Sequence, residues 1–149
     1  MRVIEQAKVE DIPALCQLLA LLFSQEAEFA PDVAAQHRGL SMIIAQPEVG
    51  AVLVLKENGI ALGMVNLLFT VSTALGERVA LLEDMVVVPQ LRGSGAGSDL
   101  LSRAVALARE KGCKRITLLT DGDNEAAKRF YARQGFVESP MVPLRLALD

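Results

Sequence analysis

Apolar side chains recur at helical spacing between positions 12 and 22, at Ile12, Leu15, Leu19 and Leu22, the period of a helix that buries one face. Glu10 and Asp11 place negative charge where a first turn favours it, and Pro13 lies early enough that its missing N–H costs little. This helix is expected to end near Gln25. An acidic connection, Glu26–Ala30, leads to Pro31 at the start of a second helix, Val33–Gln46, which offers Leu40, Ile43 and Ile44 to a core and closes at Pro47.

Around the helices the period changes to that of strands. Arg2–Ala7 reads as a first strand, and Ala51–Lys56 and Ile60–Val71 are rich in β-branched and aliphatic residues. Glu57-Asn58-Gly59 between the last two suits the positive φ angles of a tight hairpin. Ser72–Glu77 supply a turn into Val79–Val88, a strand expected to pair with its predecessor. Beyond Pro89 come a glycine-rich turn and a helix, Ser98–Lys111, whose Leu100, Leu101, Ala104, Val105 and Leu107 are apolar and which stops at Gly112. Arg115–Thr120 is a short β-type run. Asp121–Asn124 cap a further helix through Arg133, Gly135 ends it, and Phe136 opens an extended stretch whose Pro140 and Pro143 suit edge positions. This order argues for an α+β or mixed α/β sheet protein.

At 149 residues, with 52% hydrophobic and 22% charged side chains, the chain is expected to form one domain, residues 1–149, with a full-sized core. A net charge of -3 provides no basic field for nucleic acid, so no such partner is expected. The stretch Ile12–Phe23 is shorter than the ~20 residues that span a bilayer and contains Gln17, which predicts a buried helix and no membrane partner. Met1–Glu5 runs straight into strand-like sequence without a long apolar core, which points to the cytoplasm. Cys16 and Cys113 sit outside any CxxC or Cys/His cluster, and the sole histidine, His37, lies in a polar stretch, so free thiols, a surface histidine and no metal are expected.

The chemistry concentrates at Val88-Pro89-Gln90-Leu91-Arg92-Gly93-Ser94-Gly95-Ala96-Gly97, between a strand and the start of a helix. Helix amino termini carry unpaired N–H groups and partial positive charge, and glycines let backbone approach a diphosphate closely. Two familiar phosphate motifs fail. No Gly-Lys-Ser/Thr is present, and a dinucleotide fingerprint starting at Gly93 needs glycine where Ser98 stands. The pattern Arg92-x-x-Gly95-x-Gly97 instead resembles the acyl-CoA pyrophosphate loop of the GNAT acetyltransferase superfamily. Asn124-Glu125-Ala126-Ala127-Lys128-Arg129-Phe130-Tyr131-Ala132-Arg133-Gln134-Gly135-Phe136 is similar to that family's second cofactor segment. The resemblance covers about Leu81–Phe136.

The resemblance implies a GNAT fold: a central, mostly antiparallel mixed sheet of six to seven strands with splayed fourth and fifth strands, flanked by about four helices. It further implies an acetyl-CoA-dependent N-acetyltransferase. Backbone groups of Met85, Val86 and Val87 would pair with the pantetheine arm, and Arg92 and the amides of Gly93, Ser94, Gly95, Ala96, Gly97 and Ser98 would meet the phosphates. Asn124 would contact the cofactor near its thiol, and a homodimer follows from family habit.

Direct transfer to an amine needs a polarised thioester carbonyl, a proton for the departing thiolate and a base. Tyr131 suits the proton donor and an N–H near Val86 the carbonyl. Glu83, two residues before the Met85–Val87 run, is the candidate base and Asp84 the adjacent alternative; strand alternation sends these neighbours to opposite faces, so only one can look into a given side of the cleft. Cys113, away from the motifs, is not expected to form an acyl-enzyme. Glu26, Glu28, Glu83 and Asp84 favour a small cationic acceptor. Blander readings stand beside these: an ordinary strand-to-helix turn for the loop, packing against Phe130 for Tyr131, a solvated carboxylate for Glu83, and a non-catalytic acyl-CoA-binding module for the whole.

Overall fold

The computed structural model describes residues 1–24 and 32–149, which divide into two units, Met1–Leu119 and Thr120–Asp149. In the first unit the chain runs through β1 (Arg2–Gln6), α1 (Ile12–Phe23), α2 (Val33–Ala45), β2 (Gly50–Glu57), β3 (Ile60–Ser72), β4 (Glu77–Val87), α3 (Ala96–Glu110) and β5 (Ile116–Leu118). The second unit holds α4 (Glu125–Arg133) and a carboxy-terminal segment. The expected end of the first helix at Gln25, the acidic connection Glu26–Ala30 and Pro31 lie outside the described residues.

The five strands form one sheet in the order β1-β2-β3-β4-β5, antiparallel except for the last pair. The hairpin between β2 and β3 turns at Asn58 and Gly59, with φ of 52° and 79°, the positive values that two-residue hairpins require. β4 meets β5 in parallel over Ala80, Leu81 and Leu82 alone, so the stretch from Glu83 to Val87 has no β5 partner. That is the expected splay.

Alternate residues of the sheet serve opposite layers. Val52, Val54, Met64 and Val86 join Ile12, Leu15, Leu19 and Leu40 of α1 and α2 in one buried cluster. Gly63, next to Met64, faces the other way, where an added Cβ would come within 3.5 Å of Leu100 in α3. At roughly 1.5–3 kcal/mol per buried aliphatic side chain, these contacts rather than intrinsic propensity hold the 12-residue α1 in place. Asp32 caps α2, its carboxylate accepting from the Ala35 N–H at 3.1 Å. Among the described residues no helix is long and apolar enough to cross a membrane.

The sheet is one or two strands narrower than expected. Residues 137–149 form no ladder, and Leu144, Leu146 and Leu148 are exposed. Pro140 and Pro143 each remove a donor from a segment of this length, which accounts for the missing strand. The second helix and the two long strands begin or end within one or two residues of expectation, while α3 starts at Ala96 rather than Ser98.

Candidate functional site

β4 delivers the chain to the glycine-rich loop through a short 3-10 turn, Pro89–Leu91. Gly95, the residue before α3, has φ 85° and ψ 0°, a left-handed conformation that turns the loop into the helix. The Ser94 hydroxyl donates to the Leu91 carbonyl at 2.5 Å and accepts from the Ala96 N–H at 3.3 Å. The first main-chain bond into the helix is Asp99 N–H to Gly95 C=O at 3.0 Å, and the N–H groups of Gly97 and Ser98 have no partner among the described residues. Arg2 of β1 braces the loop, reaching Asp99 at 3.0 Å and the Ser94 hydroxyl at 3.3 Å. Arg92 is exposed. Unpaired amides at the positive end of a 15-residue helix, approached over glycine, fit a diphosphate.

The free edge of β4 is next to this loop in the chain. The Val88 N–H donates to Leu62 of β3 at 2.9 Å, and the Ala80 N–H donates to Arg115, just before β5, at 2.9 Å. Backbone direction alternates along a strand, so Val86 also faces β3 while Val87 faces away from it. Val87, unlike Val86, thus has its amide directed outward.

Glu83 and Asp84 do not divide between faces as alternation predicts. Met64 pairs with Val86 and Asn66 with Glu83, so Asp84 and Met85 together oppose the single residue Val65. This is a β-bulge, and Asp84 sits at its turn with φ 56°. Directly opposed residues share a face, which puts Glu83 on the side of Asn66. The bulge turns Asp84 to that side as well, where its Oδ2 accepts from Asn66 Nδ2 at 2.6 Å. Glu83 is exposed; Asp84 is half-buried and lines a cavity of about 320 Å³ against α1 and α2. Asn66 gave one sequence signal, a polar residue inside the apolar run Val65-Asn66-Leu67. Glu26 and Glu28 lie outside the described residues.

In the second unit, Asn124 caps α4, its Oδ1 accepting from the Ala127 N–H at 3.0 Å, which leaves Nδ2 as its donor. Tyr131 is held edge-on between Phe130 and Phe136, with ring centroids 5.1 and 5.6 Å away. Burial pushes its phenol up to about 12, so it stays protonated throughout the physiological range. His37 is exposed with Nδ1 3.4 Å from the Ser41 hydroxyl, and Cys16 and Cys113 are free thiols raised chiefly by burial. No metal-binding cluster occurs among the described residues.

Residues 12–136 match the model of the acetyltransferase (GNAT) family. The N-acetyltransferase YhfO of Bacillus subtilis is 36% identical over 138 residues, covering 91% of this chain and 89% of that one. The aminoalkylphosphonate N-acetyltransferase of Salmonella typhimurium is 29% identical, with coverage of 91% and 85%. Among solved structures, the GCN5-related N-acetyltransferase from Ralstonia eutropha superposes with a TM-score of 0.81 over 98% of this chain and 99% of its own, at 20% identity.

Proposed function

The chain belongs to the GNAT acetyltransferase family, and from that premise we propose that it transfers an acetyl group from acetyl-CoA to a primary amine of a small molecule, by direct attack in a ternary complex. One observation carries the reading: unpaired amides of Gly97 and Ser98 at a left-handed entry into α3, continuous in the chain with a β4 edge that has no β5 partner.

Each residue then has a part. Arg92 and the backbone of Gly93 to Ser98 bind the diphosphate. The outward edge of Met85 and Val87 meets the pantetheine amides as an added strand would, and Val86 supports that edge through its bond to β3. Val87 rather than Val86 supplies the N–H that polarises the thioester carbonyl, because its amide is the one directed away from β3. Asn124 offers its Nδ2 to the thiol end of the arm.

As the amine attacks, the carbon–sulfur bond breaks and Tyr131 protonates the leaving sulfur. With the phenol at about 12 and a thiol near ~8.5, complete transfer to a free thiolate is uphill by about 5 kcal/mol. Tyr131 therefore gives up its proton as the bond cleaves and regains it from solvent. Glu83, exposed to water, accepts the amine's proton through a water molecule. The whole chain works as one catalytic domain, in the cytoplasm and as a homodimer.

Calorimetry with coenzyme A and a thiol-release screen across amines test the reading. Binding together with initial-rate patterns of a ternary complex is expected. No affinity for coenzyme A overturns the site, and an acetylated cysteine trapped on the pathway overturns direct attack. Cell fractionation and sedimentation check location and assembly.

A further inference from the structure

Asp99 is the acidic residue in the first turn of α3, directly after Gly97 and Ser98, whose amides have no partner among the described residues. A carboxylate in this position suits the bare helix, because the amino end carries partial positive charge. Toward a diphosphate held at the same end it is a like charge that opposes binding. The chain thus carries an anion one residue beyond the amides assigned to the coenzyme's phosphates.

Arg2 meets that charge from β1, 97 residues away in the chain. Its Nη1 donates to Asp99 Oδ2 at 3.0 Å, its Nη2 to the Ser94 hydroxyl at 3.3 Å, and its Nε to Glu57 Oε1, at the end of β2, at 3.4 Å. All three nitrogens are in use, so the planar guanidinium is fixed in direction as well as in place. Among the described residues Arg2 is the sole ion-pair partner of Asp99. The surface hollow beside β1 sets Arg2 and Arg103 against Glu57 and Asp99, a balanced group that turns acidic when Arg2 loses its charge. The Asp99 side chain is 59% exposed, and ion pairs open to water add little to folding stability. What distinguishes this pair is its place, on the first turn that meets the phosphates.

We propose that Arg2 is a positioning residue for the coenzyme, which neutralises Asp99 at the amino end of α3 and so keeps that end receptive to a diphosphate. It acts through Asp99 rather than by touching phosphate. The inference rests on the acetyltransferase reading and adds to it a residue from β1, outside both sequence motifs that carry the resemblance.

Isothermal titration of coenzyme A onto the full chain tests this. Arg2→Gln keeps a polar stem on β1 and removes the charge; it should lose about fivefold or more in affinity, as a unit charge left unopposed near an anion does. Arg2→Lys, which returns a positive charge to the same place, should stay within about twofold of wild type. Asp99→Asn should bind about twofold or more tightly than wild type, because Arg2 then faces the phosphates without its counter-charge. Arg2→Gln combined with Asp99→Asn should regain most of what Arg2→Gln alone loses. The gap between wild type and Arg2→Gln should also narrow at ~1 M salt, where the screening length is about 3 Å.

A purely mechanical brace gives a different pattern. Weaker binding in Asp99→Asn, a double variant that recovers nothing, or a gap that salt leaves unchanged overturns the inference. Circular dichroism reads the fold of each variant. If Arg2→Gln unfolds, Asp99→Asn alone decides, and affinity equal to or below wild type overturns the assignment. No affinity of the wild-type protein for coenzyme A sinks the coenzyme reading and this inference together, whereas wild-type binding that Arg2→Gln leaves intact sinks the role of Arg2 alone.

Discussion

Gly95→Ala isolates the loop that the coenzyme reading depends on. An added Cβ at Gly95 meets nothing within 4 Å, so the substitution creates no clash. Its whole effect is conformational, because φ is 85° and an L side chain pays about 1–2 kcal/mol to hold the left-handed region. For 149 residues the unfolding entropy is roughly 0.3 kcal/mol/K, so the midpoint of thermal unfolding should fall by about 3–6 °C. Gly39→Ala provides the opposite control. It also adds a methyl group into open space, but within α2, where alanine is favoured over glycine by up to about 1 kcal/mol, so it should raise the midpoint.

Coenzyme binding gives the second reading. In Gly95→Ala the backbone at this position escapes its strain only by rotating, which turns the amides of Gly97 and Ser98 away from a bound diphosphate. Coenzyme A affinity should therefore fall at least about tenfold, and Gly95→Asn, whose side chain tolerates the left-handed region, should keep most of both stability and affinity. Differential scanning calorimetry and isothermal titration of the three variants measure this. An unchanged midpoint for Gly95→Ala refutes the strain argument, and lost stability with unchanged coenzyme affinity refutes the placement of phosphate at this turn.

Tyr131→Phe should lower kcat by about 100-fold or more with KM for acetyl-CoA nearly unchanged, as loss of a proton donor does; initial rates decide it. The phenol's raised folded value of about 12 contributes stability that is complete below pH 10 and lost as pH rises through 12, so Tyr131→Phe should remove about 2–3 kcal/mol of the alkaline decline in urea titrations. At Asp11 burial pushes the carboxyl up, but hydrogen bonds from Lys56 and from the Lys8 N–H outweigh it and hold it below its ordinary value. Stability from Asp11 is thus present above its unfolded value near 3.8 and disappears as pH falls through the folded one; Asp11→Asn should cost about 1–3 kcal/mol at pH 7 and flatten the acid limb of the urea midpoint against pH. Gly50→Ala should destabilise by about 1–3 kcal/mol, because its Cβ would press on the Leu67 carbonyl of β3 and on Ile43 of α2, and a normal thermal midpoint would count against the β2–β3 packing.

Much of the first unit was legible because local chemistry and burial agree there. Asn58-Gly59 demanded a hairpin and got one; Ile12, Leu15 and Leu19 face the core at the expected spacing. The start of α3 moved from Ser98 to Ala96 because Gly95 itself makes the turn, so the helix starts directly after it. What the residues could not announce was non-local. Gln36 sits in a polar stretch of α2 and reads as solvated, yet it is turned inward onto the cavity. The bulge at Asp84 carries no glycine or proline to mark it, since it arises from the register between Asn66 and Glu83 on separate strands. The last strand was expected because Pro140 and Pro143 were read as suiting edge positions, whereas residues 137–149 form no ladder at all.

That bulge ties the two halves of the first unit's site together. Without the extra residue, Asp84 would fall on the opposite face from Glu83 and Asn66, and the cavity would lose its inner carboxylate. The same insertion falls just past Leu82, the last residue paired with β5, so the strand leaves its parallel neighbour and re-aims its side chains within a few residues. Aspartate tolerates the left-handed φ of 56° at Asp84 better than most residues, and the short Asn66–Asp84 hydrogen bond helps to hold it there. Replacing Asn66 with leucine removes that hydrogen bond and should let the bulge relax toward a regular strand. If the bulge sets the course of the β4 edge, coenzyme A affinity must fall in Asn66→Leu, and calorimetry that finds it unchanged counts against the link.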